Sequence, residues 1–233
     1  MIAAVNLPAS IGASATTRQL PIYSVEQQEG EKKIAISFDA AWGADDTDRL
    51  IEILGKHNVR ATFFVVGQWV DTYPEEVKRL SDAGHEVMNH SNTHPHFPEC
   101  TTEHMMKEIE TCNDKVEAIT GKRPTLLRFP YGDYNDDTVN AVRSLGMEPI
   151  QWSVDSLDWQ DTSTADSILH RVVDKVHPGA IILCHNDAKY TPDALDEILT
   201  TLTSEGYTFV PVSELIVKGE YTIDHTGMQS PAE

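Results

Sequence analysis

The chain has 233 residues, with 18 Lys or Arg against 37 Asp or Glu, and a formal net charge of −19. This length suits one large α/β domain. The charge argues against nucleic acid or an anionic membrane surface as a partner, because both would repel the chain, whereas a neutral glycan is not excluded.

The N-terminal residues 1–31 begin apolar and then become small and polar. Two interpretations stay open: the trimmed remnant of a signal or anchor segment, or a flexible N-terminal arm. No stretch of the chain reaches the roughly 18 apolar residues that a membrane span needs, so we expect no span here.

Residues 32–217 alternate between strand-like and helix-like segments. The predicted strands are 33–38, 61–66, 85–90, 125–129, 148–154, 180–185 and 207–212. Each predicted strand is followed by a segment in which apolar residues recur at helical spacing. In the segment after residue 101, for example, Met105, Ile109, Cys112, Val116 and Ile119 recur at intervals of 4, 3, 4 and 3 residues. Residues 218–233 are expected to form a tail without regular structure.

This alternation predicts the architecture. Strand and helix repeat about seven times, which indicates parallel strands joined by helical crossovers. The count fits a (β/α) barrel, in an incomplete form if need be, better than an open sheet.

Polar residues follow the predicted strands at their carboxyl ends, where the active sites of such folds lie. They are Asp39, His90 with His94 just beyond it, Arg128, Asp155 and His185. A single Asp at a strand end is more often a turn former. Five strands that deliver reactive groups to one rim indicate a site.

These residue types suit a metal-assisted hydrolase. Two imidazoles four residues apart can bind a divalent metal, which polarises a carbonyl and acidifies water. A carboxylate can serve as general base, and an arginine beside it keeps it ionised. A histidine tuned by an aspartate can protonate a leaving group.

Five segments carry a family resemblance: SFDAAWG, HSNTH, RFPYG, DSLDW and LCH occur in this order over residues 37–185. They resemble the five motifs of the polysaccharide deacetylases of carbohydrate esterase family 4, the NodB homology domain. The resemblance implies a distorted (β/α)7-type barrel with parallel strands. It also implies a hydrolase of carbon–nitrogen bonds other than peptide bonds, which removes acetyl groups from glycans with a divalent metal such as zinc or cobalt.

The resemblance also implies catalytic roles. Asp39 is expected to be the general base, and Arg128 to hold it. His185 is expected to be the general acid, tuned by Asp158.

The remaining roles concern metal and substrate. His90 and His94 are expected to be metal ligands. The backbone N–H of Tyr131 is expected to bind the oxyanion, since the preceding proline has none. Trp159 would form an apolar wall, and Leu183 would line the acetyl pocket.

Two interpretations of Trp42 stay open. It could stack on a sugar ring, which we favour, or pack within its own loop. His96 follows Pro95 and is expected to lie off the site.

One position departs from the family pattern. Where the first motif usually carries a second aspartate as metal ligand, this chain has Ala40. Asp45 or Asp46 could supply the missing carboxylate, or both could cap the helix that begins near Thr47. The form FDxxWG resembles a sporulation-associated subgroup of the family.

The sequence therefore predicts a metal-dependent N-deacetylase of peptidoglycan or a chitin-like amino-sugar polymer. Two alternatives stay open: a weak or inactive glycan-binding protein on the same scaffold, or a hydrolase of small cyclic amides. The expected location is extracellular or in the cell envelope, with a spore as one such setting.

Overall fold

The computed structural model describes residues 18–232, which form a curled parallel sheet covered by helices. The strands are β1 Ser24–Val25, β2 Lys33–Ala40, β3 Thr62–Val65, β4 Glu86–Asn89, β5 Leu126–Arg128, β6 Glu148–Ile150, β7 Val154–Asp155, β8 Ile181–His185, β9 Thr208–Phe209, β10 Tyr221–Ile223 and β11 Met228–Pro231. The helices are α1 Thr47–Lys56, α2 Gly67–Thr72, α3 Pro74–Asp82, α4 Thr102–Thr120, α5 Asp136–Ser144, α6 Ala165–Val173, α7 Thr191–Ser204 and α8 Val212–Leu215.

The main sheet has the strand order β6-β5-β4-β3-β2-β8-β7, with β9 paired to β2, and its pairs are parallel. Strands β6 and β7 lie at opposite ends of this order, yet only residues 151–153 separate them along the chain. The sheet must therefore curl until its two edges are close. The predicted distorted (β/α)7-type barrel with parallel strands is confirmed.

The central strand β2 is buried on both faces, as is usual when helices cover a parallel sheet. Ile34, Ile36 and Phe38 pack in the apolar cluster that also contains Leu50 of α1. The alternate residues face the barrel interior, where polar groups at the carboxyl end of the strand are brought together.

Helix starts are well specified locally. Asn135 and Thr138 form a reciprocal capping box at α5, and Thr164 and Ser167 form one at α6. The side chain of Thr101 accepts from the backbone N–H of His104 at the start of α4.

The predicted flexible arm is wrong for residues 18–25, which fill the gap between the two sheet edges. Ile22 is fully buried, donates to the carbonyl of Pro149 at 2.9 Å and accepts from the backbone N–H of Gln151 at 2.7 Å. Val25 donates to the carbonyl of Gly179 at 2.9 Å. Residues 1–17, on which the signal-remnant interpretation depends, lie outside the described residues.

The predicted unstructured tail is also wrong up to residue 232. Strands β10 and β11 pair antiparallel, and β11 pairs with β1 in parallel. Gln229 is fully buried and binds the backbone of Val217 through both ends of its amide. The two ends of the described chain therefore support each other.

Two further predictions needed correction. The strand predicted at 148–154 is broken, because the backbone N–H of Gln151 pairs with Ile22 and that of Ser153 pairs with Ile181 on a different strand. The strand predicted at 207–212 keeps only Thr208–Phe209, since Pro211 has no N–H and leads into α8. Within residues 18–232, no helix is both long enough and apolar enough to span a membrane.

Candidate active site

A cavity of about 480 Å³ opens at the carboxyl ends of the strands. The predicted site residues that line it are Asp39, Trp42, His90, His94, Tyr131, Asp155, Trp159, Leu183 and His185. Arg128 and Asp158 lie behind this wall and bind Asp39 and His185, respectively. The parallel sheet thus brings together the side chains predicted from the separate strand ends.

The two imidazoles predicted as metal ligands converge. The Nε2 atoms of His90 and His94 lie 3.2 Å apart, and the Nδ1 of His90 lies 2.9 Å from the backbone carbonyl of Arg128. An Nδ1–H that donates to this carbonyl leaves the Nε2 of His90 free to bind a metal. Burial lowers the pKa of His90, and burial together with the adjacent His90 lowers the pKa of His94 to about 4. Both rings are therefore neutral at pH 7.

This pair fits a divalent cation. Two nitrogens bound to one tetrahedral zinc at about 2.0–2.1 Å lie about 3.3 Å from each other. The described part of the chain, however, holds no group of three or more His, Cys, Asp or Glu side chains suited to a metal. Ala40 is fully buried and packs in the apolar cluster with Phe38, so it offers a methyl group at that position. The donor set is two imidazoles.

The prediction that Asp45 or Asp46 completes the site is wrong, because neither lines the cavity of the histidines. Both line a separate cavity of about 260 Å³ together with Asp187. The loop that carries Asp45 and Asp46 is held at the carbonyl of Gly43. This carbonyl accepts from the Nε1 of Trp69 at 2.9 Å and from the Nδ2 of Asn186 at 2.5 Å.

The alternative, that these aspartates cap α1, also fails for Asp46. It precedes α1, but its side chain makes no capping hydrogen bond. Burial, with the nearby charge of Asp187, raises the pKa of Asp46 to about 6.

Asp39 and Arg128 form a buried ion pair. The Nη1 of Arg128 donates to the Oδ1 of Asp39 at 2.8 Å, and its Nη2 donates to the carbonyl of Gln151 at 3.2 Å. The Oδ2 of Asp39 lies 3.5 Å from the Nε2 of His90. Burial alone would raise the pKa of Asp39, but the charge of Arg128, the nearby His90 and His185 and the hydrogen bond from Arg128 together outweigh it, and the pKa is lowered. Asp39 is thus ionised, with one oxygen directed to the imidazole pair.

A second pair, His185 and Asp158, lies on the other side of β2. The Oδ1 of Asp158 lies 2.7 Å from the Nδ1 of His185, and its Oδ2 accepts the backbone N–H of His185 at 2.8 Å. Burial alone would lower the pKa of His185, but the hydrogen bond and charge of Asp158, with the charges of Asp39 and Asp155, together outweigh it, and the pKa is raised. Thr191, which the sequence did not single out, donates to the Oδ2 of Asp158 at 2.6 Å. The protonated imidazole is therefore more stable here than in a freely solvated histidine.

Large apolar side chains are exposed at this cavity. Within residues 18–232, Trp42, Tyr131 and Trp159 are the large hydrophobic residues that are exposed, at 52%, 62% and 53%, and all three line it. An exposed aromatic cluster of this kind marks a binding surface. Trp42 also stacks on the ring of His185 at a centroid distance of 5.2 Å.

Tyr131 is held in an unusual conformation at the end of β5. Its backbone φ is +59°, and its ring stacks on His96 at 4.0 Å and meets His94 edge-on at 4.4 Å. The Nδ1 of His96 lies 3.1 Å from Asp133. His96, expected to lie off the site, therefore supports its rim. Pro95 stiffens the chain beside His96, but this feature of the sequence does not indicate the contact between His96 and Tyr131.

Comparison with known proteins agrees with this geometry. The family model for polysaccharide deacetylase matches residues 26–150. The chain belongs to the polysaccharide deacetylase family. This membership confirms both the resemblance and the enzyme class, a polysaccharide N-deacetylase hydrolase.

Two relatives show the range of the family. The chain is 34% identical over 193 residues to peptidoglycan-N-acetylmuramic acid deacetylase PdaA of Bacillus subtilis, which covers 82% of this chain and 73% of that one. The structure of PdaA, a family 4 carbohydrate esterase, matches with a TM-score of 0.78, 33% identity and 84% of each chain covered. BA3943 of Bacillus anthracis matches with a TM-score of 0.78 and 35% identity over 84% of this chain and 68% of that one, and is described as a pseudoenzyme.

Proposed function

We propose that this protein removes N-acetyl groups from an amino-sugar glycan of the cell envelope, with peptidoglycan as the first candidate, and uses zinc or cobalt held by His90 and His94. The observation that carries this proposal is the arrangement of two ion pairs around one cavity. Asp39 with Arg128 lies next to the imidazole pair, and His185 lies on the adjacent strand β8, bound to Asp158 of the loop after β7.

The relatives support the choice of substrate. Besides PdaA, peptidoglycan-N-acetylglucosamine deacetylase PgdA of Listeria monocytogenes is 36% identical to this chain over 211 residues, which cover 89% of this chain and 44% of PgdA. The spore setting expected from FDxxWG stays part of the proposal.

The chemistry follows from the two pairs. A divalent cation, when bound, supplies Lewis acidity for the acetamide carbonyl and for the attacking water. Asp39 accepts a proton from the water as its oxygen bonds to the carbonyl carbon, and Arg128 keeps the carboxylate oriented. The backbone N–H of Tyr131 stabilises the negative oxygen that develops. His185 donates a proton to the sugar nitrogen as the carbon–nitrogen bond breaks, and acetate and a free amine leave.

The second candidate function is glycan binding with little or no turnover. Ala40 favours it, because a two-imidazole site binds a cation more weakly than one completed by a carboxylate. A mutant of the BA3943 pseudoenzyme is described as having restored enzymatic activity, so the scaffold is found in both states.

Acetate release separates the two candidates. Purified protein is incubated with peptidoglycan or chitooligosaccharides and with added zinc or cobalt, and the Asp39→Asn variant serves as the control. We expect release by the wild-type protein and none by the variant. No release by either, together with glycan binding by both, would favour the binding protein. Turnover of a small cyclic amide alone would favour the hydrolase of small cyclic amides.

A further inference from the structure

The segment from Ser91 to His94 joins the two imidazoles and has a strained backbone. Ser91 has a φ of +68° and His94 a φ of +61°. Side-chain-bearing residues rarely adopt this left-handed region, and they persist there only when the surrounding structure holds them. What holds this loop therefore decides where the ring of His94 lies.

Each peptide N–H of the loop has a side-chain acceptor. The N–H of Ser91 donates to the Oδ1 of Asn89 at 2.7 Å, and the N–H of His94 donates to the Oγ of Ser91 at 2.9 Å. These two bonds are local. The two N–H groups between them, those of Asn92 and Thr93, are bonded instead to a residue of α4.

That residue is Glu108, a buried carboxylate with 7% exposure. Its Oε2 accepts from the backbone N–H of Asn92 at 3.0 Å and of Thr93 at 2.7 Å, and its Oε1 accepts from the hydroxyl of Thr93 at 3.0 Å. Among residues 18–232, its ion-pair contact is with the exposed His104, at 3.7 Å. A buried charge needs donors, and here the loop between the histidines provides them.

We propose that Glu108 is a positioning residue for the His90–His94 pair: its carboxylate holds the intervening loop so that the two Nε2 atoms face each other. The effect on metal binding rests on the proposed function, whereas the effect on the ring of His94 does not. The carboxylate accepts from all three donors of the loop, and its charge strengthens these bonds. In glutamine, the single amide oxygen can accept both backbone N–H groups only if the NH₂ group faces the hydroxyl of Thr93, so the charge is lost and the bond with that hydroxyl is reversed.

The test compares Glu108→Gln with Glu103→Gln, a matched change at an exposed position of the same helix. Cobalt(II) affinity is measured by calorimetric titration, and the ring nitrogen signals of His94 are measured by NMR in the metal-free protein. For Glu108→Gln we expect an affinity about tenfold lower or weaker still, as for other residues that orient metal ligands, and shifted His94 signals. Glu103→Gln should match the wild type in both.

Thr93→Val provides a second route, because it removes one of the three bonds and keeps the carboxylate. It should lower cobalt affinity in the same direction by a smaller factor, and the double variant should show less than the sum of the two effects. If Glu108→Gln does not fold, an unchanged cobalt affinity in Thr93→Val overturns the proposal.

Wild-type cobalt affinity and unchanged His94 signals in folded Glu108→Gln would also overturn it. If the wild-type protein takes up no cobalt, the metal part of the proposed function fails instead. The His94 signals, with amide hydrogen exchange at Asn92 and Thr93, then decide the role of Glu108: no change in either rejects it.

Discussion

The guanidinium of Arg128 and the carboxylate of Asp39 form an ion pair 2.8 Å long, with the arginine fully buried. The backbone carbonyl of the same arginine lies 2.9 Å from the Nδ1 of His90. One residue on β5 therefore orients both the proposed base and a proposed metal ligand.

Replacing Arg128 should be costly. In Arg128→Met, Asp39 loses its buried counter-charge, which typically destabilises a protein by about 3–5 kcal/mol. We expect a loss of this size in the free energy of unfolding, measured by urea denaturation. Arg49→Met, at an exposed ion pair with Asp193, should change it by less than about 1 kcal/mol. Similar values for the two variants would contradict the importance of the buried pair.

The pH profile should depend on Asp158. In the proposed mechanism His185 donates a proton, so kcat/KM should fall as the pH rises through its raised pKa. Asp158→Asn removes the charge that raises this pKa, and the alkaline limb should move to lower pH by about one unit or more. The exposed Asp161→Asn is the control. An alkaline limb that stays in place in Asp158→Asn would exclude His185 as the acid.

The metal hypothesis makes a binding prediction. His94→Ala removes one of two imidazoles 3.2 Å apart, so cobalt(II) affinity should fall by more than about tenfold in calorimetric titration. His170→Ala, at an exposed position on α6, should leave it unchanged. Equal affinities for the two variants would place the metal elsewhere.

Stability should decline in mild acid because of His85. Burial lowers the pKa of this histidine to about 4, below the value of about 6.5 expected when unfolded. The unfolded chain therefore binds the proton more readily. The contribution of His85 to the free energy of unfolding is fully present above about pH 6.5 and is lost as the pH falls toward 4. From pH 7 to pH 5 this site should cost about 2 kcal/mol.

The measurement is chemical denaturation at both pH values. His85→Gln, which keeps an acceptor for the backbone N–H of Ala61, should lose this part of the pH dependence, and His104→Gln should retain it. An equal change in the free energy of unfolding between the two pH values in wild type and His85→Gln would show that the imidazole of His85 titrates normally.

What could be predicted from the sequence alone was the part encoded by local patterns. Alternating strand and helix segments require parallel strands, and parallel strands place their carboxyl ends at one rim. Asp39, Arg128 and His185 were therefore expected together, and the structure brings them together. The interval of four residues between His90 and His94 is likewise a local feature that can be read in the sequence.

Only the tertiary structure decided the rest, because distant residues set it. Asp45 and Asp46 line a different cavity from the imidazoles, in a loop where Trp69 and Asn186 hold the carbonyl of Gly43. Glu108 differs in no local way from its neighbouring helix residues until α4 packs beside the histidine loop. Hydrogen bonds between residues far apart in the chain leave no periodic trace in the sequence, so their partners become known only when the backbone is in place.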